Sequence, residues 1–318
     1  MTLPRSVSTA ALRAALRLGG AVQALPPRPA AVVRRASALR LTADERAAEA
    51  RIDALRTTLA GSTDTVEVVD YGAGTRGGAR PPARAVADVY RRAATGPAWG
   101  RFLFGLARAL RPARVLELGT NLGVGSAHLA AALALNEAER GGVAGRLVTL
   151  EGAPALAARA ERALADLGHA DRARVVVGPF ADTLADVARA ERWDLVFIDG
   201  HHEAAAALNY VRTLAPHLAP GALVVLDDVE PGRPVRRAWR ALRAGRVPAL
   251  RGAAAFYAGR YGLLFAAPPA RLVGATPASE DGGSLGRGGV PWGAPAALAR
   301  ETAAAPPDPA GATPDSRA

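Results

Sequence analysis

Residues 115–126 read VLELGTNLGVGS, an apolar run that breaks into a glycine-bearing turn, with the acid Glu117 two places before the first glycine. Glycines let a backbone bend sharply and let something approach it closely. The same grammar repeats downstream. RVLELG (114–119) reads as a strand and VGSAHLAAALAL (124–135) as a helix. RLVTLEG (146–152) and ARVVVG (173–178) are strands followed by the helical patterns PALAARAERALADLG (154–168) and DTLADVARA (182–190). WDLVFIDG (193–200) and ALVVLDDV (222–229) continue the series around the helix AAAALNYVRTLAPHL (204–218). Strands rich in Val and Leu, each followed by a helix of ten to fifteen residues, describe a parallel sheet covered on both faces. The fold class expected is therefore α/β, a doubly wound, mostly parallel sheet.

Outward from this centre the pattern loosens. PVRRAWRALRAG (234–245) reads as a helix, and AAFYAGRYGLLFAA (254–267) supplies two final strands. Upstream, Thr42 and Glu45 form a capping box that opens a helix running through about Arg56 to Gly61. TVEVVDYGAG (65–74) reads as a short strand and glycine turn, and helices are expected near Ala83–Ala94 and Trp99–Leu110. AALRAALRLGGAVQAL (10–25) forms an amphipathic helix, and PPRPAAVV (26–33) reads as a linker. The first forty residues hold seven arginines and no acid, which also fits an organellar transit peptide; an ordinary N-terminal helix is the reading taken. Three regions result: a basic helical extension over 1–63, a catalytic domain over 64–267, and a Pro/Gly/Ala-rich tail over 268–318 that reads as disordered.

Composition narrows the function. The 318 residues contain no cysteine, which excludes disulfides, zinc–thiolate sites and thiol nucleophiles. All 40 basic residues are arginine, so a phosphate loop, which needs a lysine, is excluded as well. Arginines interrupt every apolar run before it reaches the ~20 residues a membrane span needs, and a cytoplasmic location is expected. The net charge of +11 allows a polyanionic partner such as RNA, though acids are interleaved with the arginines in the central region.

In an open parallel sheet, ligands bind outside the carboxyl ends of the strands where strand order reverses. The first turn there, Gly119–Gly125, has G-x-x-x-G-x-G spacing and matches the dinucleotide fingerprint poorly. A carboxylate at Glu117 would repel a pyrophosphate and suit an ammonium or sulfonium. Glu151 ends the second strand, where a carboxylate can accept from two ribose hydroxyls. A nucleoside at one end and a positive charge at the other point to S-adenosylmethionine.

VLELGTNLGVGS, TLEGAP (149–154), VVVGPF (175–180), WDLVFIDGHH (193–202) and VVLDDV (224–229), in this order, resemble class I S-adenosylmethionine-dependent methyltransferases of the Rossmann-like fold. The subgroup they are most similar to is that of catechol and caffeoyl-CoA O-methyltransferases. The likeness covers about residues 64–266 and includes AWGRFLFGLA (98–107). It implies that Glu117, Gly119, Thr120, Asn121, Gly123 and Ser126 border the methionine part of the cofactor. Glu151 and Gly152 would hold the ribose, while Gly178, Pro179 and Phe180 border the adenine and Asp199 completes the set. Phe180 would either stack or simply pack; Tyr71 and Gly72 would close the site or form a plain turn.

The resemblance also implies a divalent cation, Mg2+ or a similar hard ion, on Asp199, Asp227 and Asp228, with Asp228 standing where the subgroup usually has asparagine. The other reading gives these acids to backbone capping or to the cofactor's amino group. His202 falls where the subgroup often has a lysine base and is the candidate catalytic residue beside Asp199; metal ligation and helix capping stay open for it. His201 is expected to point elsewhere, and His128, His169 and His217 to be packed or solvated. The acceptor pocket is expected from the N-terminal segment and the loops near Trp239 and Tyr257. The leading function is O-methylation of a small-molecule hydroxyl; oligomeric state is left open, with a homodimer through the helices before the first strand implied by the resemblance alone. The alternatives are an RNA-modifying methyltransferase, a catalytically silent cofactor-binding protein, and a nicotinamide oxidoreductase, which the turn spacing disfavours.

Overall fold

The computed structural model describes residues 27–38, 40–69, 83–142, 144–250, 255–257 and 260–266. The chain divides into two units, 1–270 and 271–318. The second lies outside the described residues, as do the amphipathic segment 10–25, Tyr71, Gly72 and Trp292.

Helices α1 (Pro27–Ala38) and α2 (Ala43–Ala60) come first. The linker expected over 26–33 is in fact the start of α1. Prolines in the first turn of a helix cost little, because no N–H is needed there. Ala30, Val33 and Ala36 then recur on one face and are buried. They pack on α4 (Pro97–Leu110), where Gly105 allows contact; a Cβ on it would come 2.9 Å from Ala36 Cα. The capping box that opens α2 is present in both directions, Thr42 N to Glu45 and Glu45 N to Thr42 Oγ1. Strands β1 (Thr65–Glu67) and β2 (Ala83–Ala85) form a small antiparallel pair before α3 (Val86–Ala93).

The central sheet follows the repeating pattern: β3 (Arg114–Leu118), α5 (Val124–Glu139), β4 (Arg146–Glu151), α6 (Pro154–Asp166), β5 (Ala173–Val177), α7 (Phe180–Ala190), β6 (Trp193–Ile198), α8 (Ala204–Leu214) and β7 (Leu218–Leu226). After α9 (Val235–Arg243), β8 (Ala255–Tyr257) and β9 (Tyr261–Phe265) close the series. The seven strands lie in the order β5-β4-β3-β6-β7-β9-β8. The first five are parallel, while β9 runs antiparallel to both β7 and β8. Strand order reverses between β3 and β6. Two clusters cover the two faces of the sheet, one built on α1, α4 and α5, the other on α7 to α9. The doubly wound α/β expectation is borne out. Among the described residues no helix is long and apolar enough to cross a membrane.

Candidate functional site at the switch point

The crevice opens where β3 and β6 end. Gly119 has φ +104, a conformation that favours glycine, and a Cβ there would overlap the Asp199 carbonyl. The two strand ends are joined by Asp199 N donating to Leu118 O at 2.9 Å. Gly123, φ +79, precedes α5 and lies against Ala160, so the turn is fixed by its neighbours on both sides. Thr95, Thr120, Asn121, Asp199 and His202 line the opening above it.

Glu117 lies behind Gly125, where an added Cβ would come 2.6 Å from its Oε1. Its carboxylate is 1% exposed; Oε2 accepts from Thr149 Oγ1 at 2.7 Å and from the Ser126 hydroxyl. Because Thr149 donates to Glu117, it accepts from Thr120 Oγ1, 2.6 Å away. Oε1 is buried with no hydrogen-bond partner. Burial pushes the carboxyl up to about 7; the two hydroxyls oppose the shift and the charge of Glu151 adds to it. An orphaned carboxylate oxygen in a closed site costs about 1–3 kcal/mol, and a ligand cation or donor reaching it would recover that. The residues therefore fit a group carrying an ammonium.

Glu151 does more than the expectation gave it. Oε2 accepts from Asn121 N at 2.7 Å and Oε1 from Ala153 N at 2.9 Å, with Gly152 N also donating. The carboxylate ties the glycine turn to the start of α6 and keeps lone pairs for a ligand hydroxyl. Burial raises its pKa against these donors. Asn121 itself has φ +51. At the end of β5, Gly178 N donates to Glu151 O at 2.9 Å, and Pro179 leads into α7. Phe180 packs edge-on against Tyr210 at 5.7 Å and beneath Gly200.

The acids on β6 and β7 meet as expected, with partners that were not foreseen. Asp227 and Asp228 are each 1% exposed. Asp227 Oδ1 accepts from Asp228 N at 2.7 Å, and Oδ2 accepts from the Arg260 guanidinium. Asp228, at φ +59, accepts from Arg233 at 2.7 Å through Oδ2, and its Oδ1 lies 3.6 Å from Arg260 Nη1. A hydrogen bond joins Asp227 to Asp199, and burial, then the Asp199 charge, holds the Asp227 carboxyl well above its ordinary value, against the pull of Arg260. Among the described residues no three acidic or histidine side chains are arranged to hold a metal ion. A hard cation needs six or more oxygens, or several plus water, whereas three of the four oxygens of Asp227 and Asp228 are already bound. The carboxylates expected to ligate Mg2+ do not fit that role, because two guanidinium groups hold them.

His202 Nδ1 faces Asp228 Oδ2 at 3.4 Å, and its side chain is 43% exposed at the opening. His201 turns away to Tyr210, with Nδ1 2.8 Å from the hydroxyl, as expected. His128 is packed between Glu49 and Arg56. Trp239 does not shape the crevice: it is buried in the core beneath α9, where a Cβ on Gly262 would come 2.5 Å from its ring. Arg260 and Arg233 escaped the sequence reading. The only signal was an arginine inside the otherwise apolar AAFYAGRYGLLFAA, where a charge between two strands needs a buried partner.

A doubly wound sheet with a crevice at its switch point is the arrangement in which open α/β proteins bind ligands. Residues 116–229 match the family model described as a methyltransferase domain. The chain is similar to a catechol O-methyltransferase of Mycobacterium tuberculosis, 42% identical over 131 residues that cover 41% of this chain and 54% of the relative. A catechol O-methyltransferase of Niastella koreensis is 31% identical over 42% of this chain and 57% of its own length. The chain thus spans little more than half the length of these curated relatives. Among solved structures, the cofactor-bound Rv0187 from MTB aligns over 72% of this chain and 90% of that one, with 29% identity and a TM-score of 0.46.

Proposed function

We propose that this chain is an S-adenosylmethionine-dependent methyltransferase acting on a hydroxyl of a small molecule. The observation that carries the reading is Glu117 Oε1, a buried carboxylate oxygen with no partner beneath a glycine turn at the switch point. A pyrophosphate would meet repulsion there; an amino acid ammonium beside a sulfonium meets a complementary charge. In this reading Glu151, which accepts from Asn121 N in the same turn, would hold the ribose, and Gly178, Pro179 and Phe180 would border the base. When bound, S-adenosylmethionine supplies a methyl group on sulfur, so that transfer breaks the S–C bond, forms an O–C bond and leaves the electron pair on sulfur.

The protein's part is to position the acceptor and take its proton. His202 stands at the opening with Nδ1 toward Asp228, which leaves Nε2 to accept the hydroxyl proton. Asp199 lines the same opening and helps hold the acceptor side. The names of the two curated relatives make catechols the first acceptors to try. Calorimetry should show binding of S-adenosylmethionine and its demethylated product, and a labelled-methyl screen should find the acceptor. His202→Ala should lower kcat by roughly 10²–10⁴-fold with cofactor affinity unchanged. No binding of either adenosyl ligand at millimolar concentration ends the proposal, and unaltered turnover removes His202 as the base.

A further inference from the structure

We infer that this site works without a divalent cation, because Arg260 supplies a fixed positive charge inside the cluster formed by Asp199, Asp227 and Asp228. The inference rests on the methyltransferase reading above and departs from the metal that the family resemblance implies.

Three observations carry it. Arg260 is 7% exposed and its guanidinium bonds Asp227 Oδ2, with Nη1 3.6 Å from Asp228 Oδ1. It is also held in place. The guanidinium lies over the rings of Trp99 and Tyr261, 5.8 and 5.9 Å from their centroids, and the Arg260 carbonyl accepts from Val229 N at 3.0 Å. Trp99 and Tyr261 are themselves buried and 5.0 Å apart, so the aromatic seat is rigid. Two further acceptors are satisfied from the protein, Asp227 Oδ1 by Asp228 N and Asp228 Oδ2 by Arg233, and the fourth oxygen, Asp228 Oδ1, makes no hydrogen bond and faces Arg260 alone.

A guanidinium cannot lose its charge at any working pH, and it is less strongly hydrated than an ammonium, which suits burial. Three carboxyls against two guanidiniums leave little net charge for a dication to neutralise. A divalent ion would have to enter beside Arg260 at short range, against Coulomb repulsion that screening by solvent does not relieve in a closed site. It would also displace charge-assisted hydrogen bonds that are stronger than neutral ones. Arg260 thereby sets the shape of the acid cluster and leaves Asp228 Oδ2 to orient His202. It is a positioning residue, acting on the acceptor side through the two aspartates.

Mn2+ titration of the full chain, followed by the EPR signal of the free ion, tests the inference. With stoichiometric Mn2+ the free-ion signal should remain, while calorimetry on the same sample shows binding of S-adenosylhomocysteine. That second measurement separates failure of this inference from failure of the methyltransferase reading. Arg260→Met should then bind Mn2+ roughly tenfold or more tightly, because the repulsion is gone and the carboxylates are released. Uptake of stoichiometric Mn2+ by the unaltered chain, reversed by Asp199→Ala, overturns the inference whether or not the Arg260 variant folds. Turnover that a chelator abolishes and Mg2+ restores overturns it equally.

Discussion

Glu117 concentrates the conflict between stability and binding at a single carboxyl. Its pKa, raised to about 7 by burial, exceeds that of a carboxyl in the unfolded chain. Between about pH 4.5 and 7 the native state therefore binds more protons than the unfolded state. Stability contributed by the neutral form is full below that window and is lost as pH rises through it, on the order of 3 kcal/mol. Glu117→Gln should stabilise the ligand-free protein above pH 7, read as a higher urea midpoint, while weakening S-adenosylmethionine binding at least about tenfold. Binding of a cation favours the ionised carboxylate, so affinity for the cofactor should fall as pH drops below 7. Calorimetry in buffers of different ionisation enthalpy should register a proton released on binding. A pH-independent affinity would show that Glu117 does not meet the charged end of the ligand.

At the scale of elements, the glycine turn after β3 is set by backbone collisions rather than by propensity. Gly119→Ala combines a positive φ with overlap on the Asp199 carbonyl, and should cost several kcal/mol or prevent folding. Gly141 also has positive φ, yet a Cβ there meets open space, so Gly141→Ala should cost only about 1 kcal/mol. Urea unfolding of the pair separates close approach from backbone strain. At the start of α2, Thr42→Ala removes the Oγ1 acceptor of Glu45 N and should cost about 1 kcal/mol. These elements were legible in the chain because each has a local cause: alternation of apolar strands with helices, a capping box, a glycine where φ must be positive. The linker read over 26–33 failed for a local reason too. Prolines suggested a break, and only the packing of Ala30, Val33 and Ala36 on α4 shows that they open a helix.

Across the described unit, a buried polar network ties α2 to α4 and α5, two of the helices that cover the sheet. Glu49 on α2 meets His128 Nδ1 at 2.9 Å and Arg101 at 2.9 Å, and Arg56 reaches His128 Nε2 at 3.0 Å and the Thr95 carbonyl at 2.8 Å. Arginine only donates, so Nε2 accepts and Nδ1 donates to Glu49. Burial alone would raise the Glu49 pKa; His128 and Arg101 outweigh it and hold the carboxyl below its ordinary value. The stability it contributes is present above the ordinary carboxyl range and lost as pH falls through the lowered value. Glu49→Gln should destabilise the protein by about 3–5 kcal/mol at neutral pH, and by much less in acid, as thermal melts across pH would show. Because Thr95 lines the crevice opening, the same variant should also loosen cofactor binding.

The sequence by itself determined the doubly wound sheet, the switch-point turn and the gathering of Glu117, Glu151, Asp199, Asp227 and Asp228 at the strand ends. Periodicity and the ends of strands are local facts, and in a parallel sheet they already place side chains in one crevice. Only the tertiary structure decided what those carboxylates face. Arg260 enters from the antiparallel pair β8 and β9, 33 residues beyond Asp227, and a pairing over that distance depends on how the last strand docks against β7. Ionic partners have no spacing rule along the chain, so whether a cluster of acids holds a metal or an arginine is settled by packing alone.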